Sequence, residues 1–118
     1  MKTVAFAAST DLDRSRAFFE QVVGLKFLSQ DGYACVFSDA AGTLLRVSRV
    51  PTPHTPAQYT IAGWEVPDVP AAVAALESRG CVFESYPWAG GKVWTAPGGS
   101  QVAWFKDPDG NVLSLSSH

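Results

Sequence analysis

Few side chains in this sequence could bind a metal ion or attack a substrate. The 118 residues include two histidines, His54 and His118, and two cysteines, Cys35 and Cys81. Four-cysteine zinc sites and the three-histidine catalytic type are therefore excluded by count. There is no Ser-His-Asp order, phosphate-binding loop or dinucleotide glycine fingerprint. The eleven Asp and Glu residues leave carboxylate-based sites open.

The composition limits the possible binding partners and the cellular compartment in which we expect the protein. The formal charge is −2 and no basic run occurs, which argues against a nucleic-acid surface. The two cysteines are far apart in apolar runs, so they are expected to be reduced core residues rather than a disulfide. No apolar stretch approaches the roughly 20 residues that span a bilayer. We expect a cytoplasmic protein with no nucleic-acid or membrane partner.

Hydrophobic spacing and turn residues predict the order β-α-β-β-β twice. Asp11 and Asp68 are placed as helix N-caps, and Gly24 and Gly80 as the residues that end those helices. The predicted strands are 4–8, 25–29, 33–38, 43–48, 60–66, 81–85, 101–106 and 111–116.

The two halves of the chain resemble each other. When the sequence is compared with itself at an offset of 57 residues, the first strand and helix align with 61–77. At an offset of 68 residues, 37–48 align with 105–116. We therefore predict one α+β domain, residues 1–118, with module one at 1–50, a proline-containing linker at 51–59 and module two at 60–118. Each module is too small to bury a core alone, so the two should pack together around a shared ligand cavity.

Segments 9–20, 24–25 and 102–115, the last containing Lys-Asp-Pro-Asp-Gly-Asn, resemble the vicinal oxygen chelate superfamily of glyoxalases, bleomycin-resistance proteins and extradiol dioxygenases. The resemblance extends over nearly the whole chain. It implies two βαβββ modules in a cup-shaped mixed sheet with helices on the outer face, and commonly a homodimer. In the family's enzymes it also implies a divalent metal in the cup.

The resemblance places the metal ligands on the first and last strands of each module, at Val4, Arg46, Ile61 and Ser114. These residues include no carboxylate and no imidazole, and an arginine would repel a divalent cation. We therefore predict that the metal site has been lost and that no cofactor is bound.

Strand alternation predicts which side chains line the cup. In this prediction Phe37 faces Leu44 and Cys35 faces Arg46 across the first hairpin. The predicted ligand-binding residues are Phe6, Phe37, Arg46, Glu65, Phe105, Ser114, Trp88 and Trp94.

The polar residues of the cup have alternative interpretations. Arg46 could hold a ligand carboxylate, phosphate or electron-rich ring, it could form an internal ion pair with Glu65, or its side chain could extend out of the mouth of the cup. Catalytic residues cannot be assigned, and only two weak candidates exist: Glu65 as a general base and Cys35 as a nucleophile beside Arg46.

The tryptophans divide into two pairs. Trp64 and Trp104 are predicted to pack beneath the helices. Trp88 and Trp94 lie in or beside a Gly/Pro-rich loop, where they could close over a flat ligand or fill the edge of the cup or a dimer interface. His54, among prolines, is expected to be a solvent-exposed loop residue.

The leading hypothesis is a metal-free small-molecule-binding protein that resembles the bleomycin-resistance branch and holds a flat, partly apolar ligand in the cup. One alternative is a lyase, isomerase or dioxygenase with a non-standard site. Another is a structural or regulatory dimer with a plugged cup. The sequence leaves open whether any reaction is catalysed.

Overall fold

The computed structural model describes residues 1–118, which form two helices and eight strands. A π-helical turn, Phe18–Val23, continues the first helix, and a 3-10 turn, Pro87–Ala89, lies in the long loop of the second half. The elements in chain order are β1 (Val4–Ser9), α1 (Leu12–Ala17), β2 (Lys26–Gln30), β3 (Ala34–Ser38), β4 (Leu44–Arg49), β5 (Thr60–Glu65), α2 (Val69–Ser78), β6 (Val93–Thr95), β7 (Gln101–Lys106) and β8 (Val112–Ser116).

The strands form two four-stranded sheets with equivalent topology, β1-β4-β3-β2 and β5-β8-β7-β6. In each sheet the first strand of the module pairs in parallel with the last, and the other pairs are antiparallel. Phe6 lies opposite Arg46, and Gly63 lies opposite Ser114. These two pairs are related by the offsets of 57 and 68, so the register confirms the α+β class and the two βαβββ modules.

Local sequence signals position both helices. The Asp11 side chain accepts a hydrogen bond from the Arg14 backbone N–H at 3.1 Å, and Asp68 caps α2 through the Ala71 N–H at 3.0 Å. Gly24 follows the π-helical turn with φ of 89°, a left-handed conformation that glycine adopts without strain. Neither helix combines the length and the apolar character needed to cross a bilayer.

The cores of the two modules merge into one. A single cluster of 17 buried apolar residues includes side chains from both sheets and both helices. Phe18, which follows α1, lies with its ring centroid 6.2 Å from that of Phe105 in β7. Because each module is small, this shared burial supplies apolar contacts that neither module could make alone.

One predicted strand was wrong. Residues 81–85 form no ladder: Phe83 makes an isolated bridge with Phe105, through the bond from the Glu84 N–H to the Trp104 carbonyl at 2.8 Å. The Cys81 N–H bonds back to the Leu76 carbonyl of α2 at 3.1 Å. The edge strand of this sheet is β6, which pairs with β7 after the loop has turned back through Gly90 and Gly91, both with positive φ. The loop therefore divides the edge into two short pieces.

A buried carboxylate joins the modules at one end, in a contact that we call the Asp109 lock. Asp109, in the β7–β8 turn, has a side chain only 2% exposed, and it accepts hydrogen bonds from the Thr10 N–H at 2.9 Å and the Ser15 hydroxyl at 3.2 Å. Arg14 donates to the same carboxylate at 2.8 Å. Burial by itself raises the pKa of Asp109, but the hydrogen bonds from Thr10 and the charge of Arg14 hold it below its ordinary value.

The lock should stabilise the fold in a pH-dependent way. We expect Asp109→Ala to lower the free energy of unfolding by about 2–3 kcal/mol, because it leaves buried donors without an acceptor. Arg14→Ala is the control and should cost under about 1 kcal/mol, since the Arg14 side chain is 46% exposed. A lowered pKa in the folded state means that this stabilisation is present above pH ~4 and is lost as pH falls further. Urea unfolding between pH 3 and pH 7 measures both effects, and equal losses for the two variants would contradict the lock.

Candidate functional site

The turns before β4 and β8 decide which side chains face the helices. Asp39 N–H bonds to the Thr43 carbonyl, and the Asp39 carboxylate accepts from the Ala41 and Thr43 N–H groups at 3.0 Å each. The equivalent Asp107 makes the same bonds to Asp109 and Asn111. Ser38 therefore lies opposite Leu44, with the five residues 39–43 between them, one more than in the four-residue turn that the predicted register requires.

This geometry corrects the predicted hairpin register by one residue. Phe37 pairs with Leu45, Cys35 with Val47 and Phe105 with Leu113, and all three residues are fully buried on the helix-covered face. A shift of one residue moves a side chain to the other side of its sheet. The predictions that Phe37 and Phe105 line the cup, and that Cys35 faces Arg46, were therefore wrong.

The face of each sheet turned away from the helices is here called its open face. On module one it carries Val4 and Phe6, whose exposed fractions are 36% and 60%. Arg46 lies opposite Phe6, is exposed, and makes no hydrogen bond or ion pair. An arginine without an ion pair and an exposed phenylalanine are thus neighbours on this face.

A cavity of about 340 Å³ adjoins this open face, under the linker. His54 contributes to its wall and is half-buried, and its Nε2 atom is covered and has no hydrogen-bond partner. The expectation of a solvent-exposed His54 was wrong, because the linker folds back onto β1. The lining residues are Phe6, Ala7, Ala8, Ser48, His54, Ala57, Ile61 and Asn111.

The open face of module two carries an aromatic cluster. Trp104 lies opposite Ser114, and its ring centroid is 5.8 Å from Trp88, 6.5 Å from Trp94 and 5.8 Å from Tyr86. Trp88 and Tyr86 stack with an interplanar angle of 20°, and Trp88 remains 66% exposed. We call these four residues the aromatic platform.

The aromatic platform corrects the predicted position of Trp104. It also adds two residues, Trp104 and Tyr86, to the candidate ligand-binding residues. Trp104 was predicted beneath the helices, but it alternates with the buried Ala103 and Phe105 and so lies on the open face. Trp64 does pack toward the helices, against Phe105 with a centroid distance of 6.4 Å. The correct turn length would have identified Trp104, whereas Tyr86 depends on the path of the loop.

The polar candidates do not assemble into a catalytic group. Arg46 and Glu65 lie on different sheets and form no ion pair, so the internal pair considered from the sequence was wrong. Glu65 is 3.2 Å from His118 Nε2, and both side chains are largely exposed. Burial raises the pKa of the Cys35 thiol, which disfavours the thiolate that a nucleophile requires.

The donor set does not fit a divalent metal. No group of three or more His, Cys, Asp or Glu side chains comes together anywhere in the chain. Val4 and Arg46 share the open face of module one, and Ile61 lies at an irregularity in β5. Ser114 occupies the space beside Gly63 that a side chain at that position would need. Two aliphatic groups, one permanent cation and one hydroxyl offer no set of ligands for such an ion.

Comparison with known proteins agrees with this architecture. The family model described as the Glyoxalase/Bleomycin resistance protein/Dioxygenase superfamily matches residues 3–115. The chain belongs to this superfamily. Its sequence matches no curated protein.

Solved structures of this superfamily share the fold at low sequence identity. A superfamily member from Sphaerobacter thermophilus is 20% identical, with a TM-score of 0.78 over 100% of this chain and 97% of that one. Lactoylglutathione lyase from Agrobacterium tumefaciens is 20% identical, with a TM-score of 0.75 over 99% and 92%. TioX from Micromonospora is also 20% identical, with a TM-score of 0.75 over 100% and 98%.

The donor chemistry yields a prediction for metal binding. We expect the EDTA-treated protein to show no saturable binding of Ni²⁺, Zn²⁺, Fe²⁺ or Mn²⁺ in isothermal titration calorimetry, because the family's ligand positions carry no suitable lone pairs. Arg46→Ala is the control, since removing the cation without adding a donor should leave the titration unchanged. Stoichiometric binding to the unaltered chain would contradict the prediction.

Proposed function

We propose that this superfamily member is a metal-free small-molecule-binding protein that holds a flat, partly apolar ligand on its open faces. The observation that supports it most directly is the aromatic platform. Trp88, the most exposed of its three tryptophans, stacks on Tyr86 instead of filling the core. Aromatic rings with exposed faces are suited to stacking against a planar ligand.

Arg46 is the proposed anchor for the polar end of that ligand. Its guanidinium makes no hydrogen bond or ion pair within the chain, and Arg46 is the strand neighbour of the exposed Phe6. A planar guanidinium pairs well with a carboxylate, and an adjacent ring can cover the apolar body of the same molecule. The proposed ligand class is therefore an aromatic acid, with Ser48 and the half-buried His54 lining the neighbouring cavity.

We also propose that the ligand site is completed in a homodimer. None of the main cavities of the single chain includes Arg46, and none includes a member of the platform. Val4, Phe6 and Trp88 expose apolar surface on the two open faces. A second copy laid across these faces would cover that surface and bring an arginine close to a platform.

Binding without chemical change is favoured over catalysis. Cys35 is buried in the core, and Glu65 is exposed and remote from the free guanidinium, so neither candidate forms a reactive pair at the site. The lyase, isomerase or dioxygenase alternative has no further support from these positions. A structural dimer remains as one outcome of the experiments below.

Ligand binding can be tested with matched naphthalene probes. We expect 2-naphthoate to quench tryptophan fluorescence saturably, and Trp88→Ala to weaken its binding about tenfold through loss of stacking. Arg46→Gln should weaken the binding of 2-naphthoate about tenfold but leave the binding of the neutral 2-naphthylmethanol unchanged. Tyr33→Ala is the control for an exposed aromatic, at 83% exposure. No saturable binding of either probe would favour a structural dimer, and conversion of the probe, seen by NMR, would favour an enzyme.

The dimer can be tested by sedimentation equilibrium. We expect a dimer for the unaltered chain and a shift toward monomer for Phe6→Glu, because a charge replaces apolar surface on the proposed interface. Tyr33→Glu, at another exposed aromatic, should leave the association unchanged. A monomer at all concentrations would overturn the dimer.

A further inference from the structure

A second, separate groove lies between the modules. Its volume is about 720 Å³, and it opens between α2, the residues after the π-helical turn and the β3–β4 turn. Nine of its sixteen lining residues are hydrophobic, which is the composition of a small-molecule site. We call it the seam groove. Its lining residues are Val23, Gly24, Leu25, Lys26, Ser38, Asp39, Ala40, Ala41, Thr43, Gly63, Trp64, Glu65, Val66, Ala72, Leu76 and Leu115.

The internal repeat explains why this groove is open. The offset of 68 places Ala41 on Asp109, and the offset of 57 places Val66 and Ala72 on Ser9 and Ser15. Ser9 belongs to the lock because its buried hydroxyl is hydrogen-bonded to that of Ser15 at 2.6 Å. The Asp109 lock fills one end of the pseudo-symmetric junction with a buried carboxylate and its donors. At the other end the equivalent positions are Ala41, Val66 and Ala72, and all three line the seam groove.

Because no buried carboxylate fills this end of the junction, the groove is lined by apolar side chains and by the ring of Trp64. Trp64 is half-buried and stacks on the core residue Phe105 at an interplanar angle of 23°, so the core holds its ring in place. Leu76 and Leu115 are buried at 6% and 3% exposure, and they contribute to the same wall. A planar apolar group can therefore enter without reorganising the core.

The charged residues of the groove determine which charge on an aromatic ligand is favoured. Its charged residues are Asp39, Glu65 and Lys26, which give an excess of one negative charge. The Asp39 carboxylate already accepts two backbone N–H groups. Glu65 is exposed, and its one ion-pair partner is His118. Glu65 alternates with Trp64, but it is the last residue of β5 and still lines the groove, so it is the carboxylate that can accept a positively charged group at the mouth.

From this geometry we propose that the seam groove is a second binding site, distinct from the open faces, for a flat aromatic amine. The ring lies against Trp64 in the space that the lock fills at the opposite end. The ammonium group pairs with Glu65 at the mouth. The ring face of Trp64 also favours a cation over an anion.

Three probes of one shape test the proposal: 2-naphthylmethylammonium, 2-naphthylmethanol and 2-naphthoate. We expect saturable shifts of the Trp64 indole N–H resonance, assigned with Trp64→Phe, and binding of the ammonium about fivefold tighter than the carboxylate. Glu65→Gln should remove the preference for the ammonium and leave the binding of the alcohol unchanged. No Trp64 shift with any probe, or a preference for the carboxylate, overturns the proposal.

Variants in the groove separate it from the open-face site. Ala72→Leu should fill the groove and abolish the Trp64 shifts, while Ala75→Leu, at an exposed position of the same helix, should not. Ala41→Leu blocks the groove from the exposed turn and tests the same point if Ala72→Leu does not fold. Trp88→Ala should leave the Trp64 shifts intact even if the open faces bind nothing. Unchanged binding in both groove-filling variants overturns the proposal.

Discussion

The aspartate-capped turns between the last two strands of each module constrain the rest of the structure. Asp39 and Asp107 each accept two backbone N–H groups of their own turn, which sets the loop length and hence the pairing of the strands on either side. Because neighbouring residues on a strand point to opposite faces, this length decides that Phe37 and Phe105 enter the core. The same choice places Trp104 on the open face, where it joins Trp88 and Trp94. The core and the proposed ligand site are thus two results of one turn geometry.

The internal repeat is symmetric in topology but not in chemistry. At one end of the junction Asp109 enters a polar pocket formed around the start of α1, and its burial is offset by donors from Thr10 and Ser15. At the other end alanine and valine occupy the equivalent positions, so the modules leave a groove instead of a contact. Such divergence lets one fold combine a firm attachment with a space for a second molecule. One end of the junction holds the two modules together, and the other is the groove that we propose as a second binding site.

In the proposed function the open faces bind a small molecule without the metal that the superfamily's enzymes use. The positions of the usual metal ligands hold Val4, Arg46, Ile61 and Ser114, which cannot together coordinate a divalent ion. In the proposed function Arg46 pairs with the anionic group of the ligand, and the aromatic platform supplies surface for its ring. Recognition of a flat acid needs only these groups, since neither binding nor sequestration requires a Lewis acid. The exposed apolar residues around them are consistent with a second copy covering the faces.

The amino-acid sequence by itself determined the two-module order, the N-caps Asp11 and Asp68, the glycine ends of the helices and the poor set of metal ligands. These features depend on local periodicity, capping and residue type, which can be read without a fold. Only the tertiary structure decided the hairpin register, because a difference of one residue in turn length leaves no trace in hydrophobic alternation. The covered His54, the separation of Arg46 from Glu65 and the seam groove were also decided there. Each depends on how the linker, the loop and the two sheets come together, and such contacts join residues that are distant in the chain.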